Sequence, residues 1–432
     1  LLIASTVAQA APVLMVSIDG LRPGDVLEAD ARGLKLPALK KLMADGIYAS
    51  GVKNALPTVT YPNHTTLITG VWPAKHGIAN NPTFDPLQKN MGGWYWYSQD
   101  IKVPTLWDAV HQSGGKVASL SWPVSVGAGS IDYNLPEYWR ATDSHDEDIK
   151  LVRALSTPGI VPLLEKQAGL SFIQADGESV EEDVGRTRFA AALIAAKHPQ
   201  FTTVHLRGLD HTEHAFGPGS AEANAALETL DAAVGRMIEV ARKAEPDLVV
   251  AIVSDHGFAT VEHSVNLIAP FIQAGLITLD AGNKVTAWQA EPWGSASVAV
   301  ILARPGDVAL KAKVSALLNG LAAKPELGIA HVAETREIAQ LGGTPMASFW
   351  LDFKPGYTMG INPAAPPVGP GTVKGTHGYF PTHPEMRASF ILSGPSISRR
   401  GSLGEVDMRD IAPTLAKILK VSLPGADGKP LL

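Results

Sequence analysis

Residues 248–257 read LVVAIVSDHG. Six of the first seven are apolar and none is charged, and the run stops at an acid, an imidazole and a glycine. A strand of that composition has no solvent face, the situation of an interior strand in a parallel sheet covered on both sides. Residues 13–20, VLMVSIDG, repeat the plan. Residues 201–210, FTTVHLRGLD, read as a third strand that runs to Leu209 and ends at Asp210. Helical patterns lie between these runs, at 37–46 with Pro near its start and Gly at its end, at 104–113, and over the long amphipathic stretch 221–244. A short helix is predicted at 65–70 and a strand at 116–122, while 389–393 and a helix over 408–420 close the chain. Strand alternating with helix predicts an α/β fold, a mostly parallel central sheet flanked by helices on both faces. Chemistry in such sheets collects at the carboxyl edge, and Asp19, Asp210 and Asp255 each sit where a predicted strand stops.

The stretch 265–370 departs from this plan. It carries strand, helix, strand and helix patterns at 298–302, 308–321, 329–333 and 334–341, and reads as an inserted α+β cap subdomain. The Pro- and Gly-rich residues 362–375 read as a loop returning to the core, which then comprises 11–264 and 371–432. Residues 1–10, LLIASTVAQA, resemble the end of a secretory apolar region with an A-x-A cleavage site. This remnant of a signal peptide predicts a periplasmic or secreted protein. No other run reaches 18 apolar residues, so no membrane span is expected.

Composition narrows the chemistry. With 36 Lys+Arg against 42 Asp+Glu, the net charge of −6 leaves no basic excess for a duplex nucleic acid. The 432 residues include no Cys, so a disulfide scaffold, a zinc finger and a thiol nucleophile are excluded. Any metal must be held by His, Asp and Glu.

Four short segments supply candidates. In 210–214, DHTEH, Asp210 and His214 are one helical turn apart; they can hold a divalent metal or form a structural Asp–His pair. In 255–257, DHG, acid and imidazole can converge on one ion at a strand-to-loop turn, with Gly257 allowing the turn, or the His can simply pack there. In 375–378, GTHG, His377 stands in a loop with few packing neighbours, as a ligand would. The run 57–66, PTVTYPNHTT, places hydroxyls before a short helix, where free N–H groups favour an anion; a helix cap is the plainer reading. In 76–81, HGIANN, a carboxamide can face a phosphoryl oxygen or serve the turn before Pro82.

Taken in order, VSIDGLRP, PTVTYPNHTTLITG, PAKHGIANN, LDHTEHAFGP, VSDHGF and THGYF resemble the nucleotide pyrophosphatase/phosphodiesterase family of the alkaline phosphatase superfamily, across residues 13–380. The resemblance implies an alkaline-phosphatase-like sheet with two zinc ions at its carboxyl edge. It implies that Asp19, Asp255 and His256 hold one zinc together with the nucleophile Thr60. Asp210, His214 and His377 would hold the other. Asn81, four residues before Asp85-Pro86, matches the family's phosphate-contacting amide, with the backbone N–H of Tyr61 as a second donor. Thr60 would be phosphorylated and then hydrolysed.

The resemblance also bears on the substrate. Sulfatases of the superfamily need a modified Cys or Ser, which Thr60 is not. Thr-nucleophile phosphomonoesterases carry a Lys-x-Arg pair after the strand near 120, where this chain reads SLSWPVS with no cation. A small-molecule diester or nucleotide is therefore favoured, with an apolar surface expected at Trp122-Pro123. Phosphomonoester and lipid or choline diester cleavage, and an inactive zinc-binding role, are the alternatives. In nucleotide-cleaving relatives one aromatic follows the nucleophile and another lies five before the D-x3-H acid; here these positions are Tyr61 and His205, both expected at the substrate. Trp94-Tyr95-Trp96-Tyr97 reads as a packed aromatic patch in preference to a cage for a quaternary amine. His64 is expected to be structural and His211 to be solvated or to support the site.

Overall fold

A computed structural model describes residues 10–90, 92–140 and 145–432, so residues 1–9 of the expected signal remnant lie outside the described residues. The chain folds around an eight-stranded sheet. In spatial order its strands are Gly401–Ser402, Gly46–Tyr48, Phe390–Ser393, Val249–Val253, Val13–Ile18, Phe201–Leu206, Val117–Leu120 and Tyr133–Leu135. The five strands from Val249–Val253 to Tyr133–Leu135 pair in parallel; Phe390–Ser393 is antiparallel to both its neighbours. The three runs that predicted the fold lie side by side at the centre and are buried along their whole length.

Register then fixes the site. Ser17 pairs with both His205 and Val253, so the central strands stop level with one another. Asp19 continues the ladder by one bond, its N–H donating to Leu206 O at 2.9 Å. Each face of the sheet carries its own apolar core. Leu14, Val16 and Ile18 face the helices Pro37–Ala44, Val180–Lys197 and Ala221–Ala244. Val13 and Met15 face Thr60–Thr69, Leu106–Gln112 and Ile411–Leu419. This is the two-faced cover that uniformly apolar strands require.

Three boundaries differ from the sequence reading. The strand at 201 ends at Leu206, and Gly208–Phe216 is already helical, so Asp210 belongs to a helix turn rather than a strand end. The helix predicted at 65–70 begins at Thr60. The strand near 120 stops at Leu120, because Ser121 and Val124 take φ of 57° and 56°. Helices His145–Leu155, Ile160–Ala168 and Val180–Lys197 were not anticipated.

Between 265 and 370 the four predicted elements appear at Ser297–Leu302, Val308–Ala322, Ile329–Glu334 and Thr335–Gln340. Two unpredicted strands, Ala290–Gly294 and Ala347–Phe353, complete an antiparallel four-stranded sheet. The stretch 362–375 is not wholly loop, since Val368–Pro370 pairs with Ala259–Asn266. Among the described residues no helix is long and apolar enough to cross a membrane.

Candidate active site

Thr60 is the first residue of the helix Thr60–Thr69, after an extended Val59. All ten residues of that helix are buried, although six are polar. The hydroxyls make this tolerable: Thr65, Thr66 and Thr69 each donate to the carbonyl four residues back. Asn63 anchors the approach, accepting from Ala55 N at 2.8 Å and donating to Pro57 O and Val59 O. Thr60 Oγ1 is thereby held at a helix N-terminus, 3.5 Å from His256 Nε2. Thr58, the other hydroxyl before the helix, is committed elsewhere: it donates to Tyr379 O at 2.7 Å and accepts from Gly378 N.

Two groups of metal-competent side chains lie at this edge, the first of them beside Thr60. Asp19, Asp255 and His256 form one, and Asp210, His214 and His377 the other, with ligand atoms within 4.8 Å of one another in each. His256 Nε2 lies 3.0 Å from Asp255 Oδ2 and 3.3 Å from Asp19 Oδ1. In the second group, His214 Nε2 and His377 Nε2 lie 3.5 Å from Asp210 Oδ2 and Oδ1 respectively. The His256 and His377 rings stack at 3.5 Å, which brings the two groups together.

The donor chemistry fits divalent cations. Asp19 Oδ1, Asp210 Oδ1 and Asp255 Oδ2 are buried carboxylate oxygens with no hydrogen-bond donor aligned on them. Such oxygens are costly unless a cation compensates them. The Nδ1–H groups of His214, His256 and His377 donate to Gly375 O, Gly257 O and Thr58 O, which turns each Nε2 towards its acids. Burial, and then the charges of Asp255 and Asp210, push Asp19 well above the carboxylate range. Burial also raises Asp210. Burial would raise Asp255 too, but His256 and His64 beside it hold it low. His377 is pushed far down, by burial first and then by His256 and His214. The pattern is that of carboxylates crowded together without enough positive charge.

Backbone detail supports this edge. Gly20, at φ +77°, donates its N–H to Asp255 Oδ1 at 3.3 Å. Gly257 does not take the left-handed conformation; it is needed because a Cβ there would lie 2.1 Å from Glu385 O.

Asn81 Oδ1 accepts from Tyr61 N at 2.8 Å. The backbone donor expected at Tyr61 is thus already engaged, and the Asn81 amide nitrogen is the group left for a phosphoryl oxygen. The substrate contacts expected of Tyr61 and His205 are corrected by burial. The Tyr61 ring is inaccessible beneath Trp94, and its hydroxyl donates to Glu137 Oε1 at 2.8 Å. His205 is fully buried, with Nε2 2.9 Å from Asp19 Oδ2, and offers no face to a base. The apolar surface expected at Trp122-Pro123 is also absent, since both residues are buried.

The open aromatic wall lies elsewhere. A cavity of about 380 Å³ is lined by Asn81, His214 and His377 together with Trp94, Trp293, Pro292 and Ile361, with no Lys or Arg in the wall. The 94–97 aromatics pack edge to face with Tyr61, Tyr138 and Trp139, as a patch and not a cage. His64 is buried and bonded to Thr60 O at 2.8 Å, in keeping with a structural part. His211 is exposed and faces Glu178. Glu137 was missed by the sequence reading; its signal is a lone acid inside the apolar stretch 135–139, LPEYW.

The chain is similar to several known proteins. Over 260 residues, 58% of this chain, it is 27% identical to mouse ectonucleotide pyrophosphatase/phosphodiesterase family member 1. It is 26% identical over 266 residues to the venom phosphodiesterase of Macrovipera lebetinus. The matches cover 24% and 26% of those relatives, so the chain spans about a quarter of their length. Human ectonucleotide pyrophosphatase/phosphodiesterase 5 superposes with a TM-score of 0.68 over 97% of both chains at 20% identity, a likeness of fold. An inactive murine form of the same protein, in complex with AMP, gives 0.67 at 19% identity, covering 98% of this chain and 97% of that one. The family model for type I phosphodiesterase / nucleotide pyrophosphatase matches residues 13–380, and the chain belongs to that family.

Proposed function

We propose that this chain is an exported, zinc-dependent phosphodiesterase or nucleotide pyrophosphatase that works through a phosphothreonine. The observation that carries the reading is the pair of His/Asp groups, one buried and beside the Thr60 hydroxyl and one half-buried, with their unpartnered carboxylate oxygens. Asp19, Asp255, His256 and Thr60 would hold one ion, and Asp210, His214 and His377 the other. When bound, two zinc ions would make the hydroxyl acidic enough to attack and offset charge on the entering and leaving oxygens.

The chain's own residues supply the rest. Thr60 Oγ1 forms the new bond to phosphorus while the bond to the leaving oxygen breaks, giving phospho-Thr60 and an alcohol or phosphate. Water then attacks phosphorus from the vacated side, releasing the phosphate ester and restoring Thr60. The Asn81 amide nitrogen is the donor placed in advance for a non-bridging oxygen.

The cavity supports a diester of small-molecule or nucleotide type. A monoester dianion needs an added cation, and the cavity wall has no Lys or Arg. Trp94 and Trp293 suit a flat or apolar second substituent. AMP in the murine neighbour agrees with a nucleotide. We also read 265–370 as an inserted unit that closes this wall, and residues 1–10 as an export signal.

Metal analysis and bis-p-nitrophenyl phosphate hydrolysis, with and without chelator, test the reading. Two zinc ions per chain and chelator-sensitive turnover are expected. Fewer than two ions in a fully loaded, active preparation would rule the two-zinc assignment out.

A further inference from the structure

A chain of hydrogen bonds, buried as far as the Tyr61 hydroxyl, links the first metal group through His205 and Glu137 to Tyr61, whose backbone N–H meets Asn81. His205 Nε2 lies 2.9 Å from Asp19 Oδ2, on the side of the carboxylate away from the unpartnered Oδ1. His205 Nδ1 faces two acceptors, Glu137 Oε2 at 2.9 Å and Ser121 O at 3.1 Å, so it carries a hydrogen and donates to them. The other oxygen of Glu137 accepts from Tyr61 Oη at 2.8 Å. Tyr61 N, in turn, donates to Asn81 Oδ1 at 2.8 Å. Asp19, His205, Glu137 and Tyr61 are all buried.

Glu137 is the node of this chain. Burial would raise its carboxyl, but the hydrogen bond from His205 and the nearby charge of Arg207 keep it below the usual value. It therefore accepts at both oxygens, from two donors that belong to different parts of the site. No ligand or nucleophile role is open to it, because His205 and Tyr61 stand between it and the cleft.

We propose that Glu137 is a positioning residue. Through His205 it fixes the rotamer of Asp19 in the first metal group, and through Tyr61 it fixes the Asn81 carboxamide. The two functions share one carboxylate, so the metal group and the clamp hold a constant separation. Among the described residues the second metal group shows no such link to Glu137; its histidines are set by the backbone carbonyls of Gly375 and Thr58. The inference rests on the functional reading above only in assuming that cations occupy the two groups.

The test titrates the full chain with Zn²⁺ alone, against a chromophoric chelator, and follows folding by circular dichroism. Wild type should bind two ions; if it binds fewer, the functional reading fails and not this one. In Glu137→Gln one zinc affinity should fall about 10- to 100-fold, the usual effect of losing such an outer partner, while the other stays within about threefold. His205→Gln keeps a polar atom near Asp19 but cuts the link to Glu137, and should behave alike if Glu137→Gln does not fold. Tyr61→Phe should leave both affinities near wild type and raise KM for bis-p-nitrophenyl phosphate, since only the clamp arm is lost. Folded Gln variants with both affinities unchanged, or with both lowered equally, would overturn the proposal.

Discussion

The two walls of the cleft are built on opposite principles. The sheet-edge wall holds Asp19, Asp255, His256 and Thr60, each with a backbone or side-chain partner within a short distance, and Asp210, whose Oδ1 has none. The facing wall, from Pro292 to Ser297 with Trp350, Met359 and Ile361, is apolar and brings no cation. On the functional reading proposed above, one wall would make and break bonds to phosphorus. The other can only sort what is attached to it. Reactivity and selectivity should therefore separate under mutation, and four experiments probe that separation.

The largest effect is expected at Thr60. Thr60→Ala removes the attacking oxygen, which is also a proposed zinc ligand, and little core volume, so kcat should fall on the order of 10⁴-fold or more with the melting temperature near wild type. Thr60→Ser should keep part of the activity. Thr58→Ala should instead cost stability, because its hydroxyl ties the Tyr379 segment. A severe Thr58→Ala and a mild Thr60→Ala in steady-state assays would put the nucleophile two residues away.

Next in size is the preference for diesters. With no Lys or Arg in the cavity wall, kcat/KM for a p-nitrophenyl ester of a nucleoside monophosphate should exceed that for p-nitrophenyl phosphate by about 100-fold, or ~2.7 kcal/mol. The leaving group is common to both. Equal or reversed values would show that the apolar wall does not sort substrates by their second substituent.

Trp293→Ala sharpens the same point from the other wall. Trp293 lines the cavity and packs on Phe84 at 5.5 Å. Losing one aromatic face should lower kcat/KM for the nucleotide ester by about tenfold, ~1.4 kcal/mol, and leave p-nitrophenyl phosphate and zinc content nearly unchanged. A loss shared equally by both substrates would mean that Trp293 supports the catalytic wall.

The two walls also differed in how far the sequence disclosed them. Asp19 and Asp255 could be placed at one edge because buried strands announce themselves by composition, and each acid interrupts such a run. Asp210 reached the same edge by a different element, since a Leu-Arg-Gly-Leu stretch does not show where a strand becomes a helix. His377 stood out by its place between two glycines, and the family resemblance assigned it to a ligand set. His205 and Tyr61 were misread because their motif positions describe what can face a substrate, while Glu137, 68 and 76 residues away in sequence, turns both inward. The facing wall is built on antiparallel pairing of Ala290–Gly294, Ser297–Leu302 and Ala347–Phe353, a long-range register that no local pattern encodes.

The smallest expected effect lies on the facing wall itself. Glu291 sits in the strand Ala290–Gly294, next to the cavity residues Pro292 and Trp293. Its Oε2 has no hydrogen-bond partner, and burial raises its carboxyl from 4.5 to about 7. A carboxyl raised on folding stabilises the fold fully below its unfolded value and loses that contribution as pH rises through the folded one. Glu291 should therefore make the wall weaker between pH ~5 and ~7.5, by roughly 1–2 kcal/mol once its partial exposure is allowed for. Glu291→Gln has no charge to bury. It should melt a few degrees higher than wild type at pH 8, equal it near pH 5, and show a flatter dependence between them. The sheet-edge wall holds no part of Glu291, so zinc content should not change. If Glu291→Gln tracks wild type at every pH, the carboxyl is hydrated in solution and the facing wall is more open there than its packing shows.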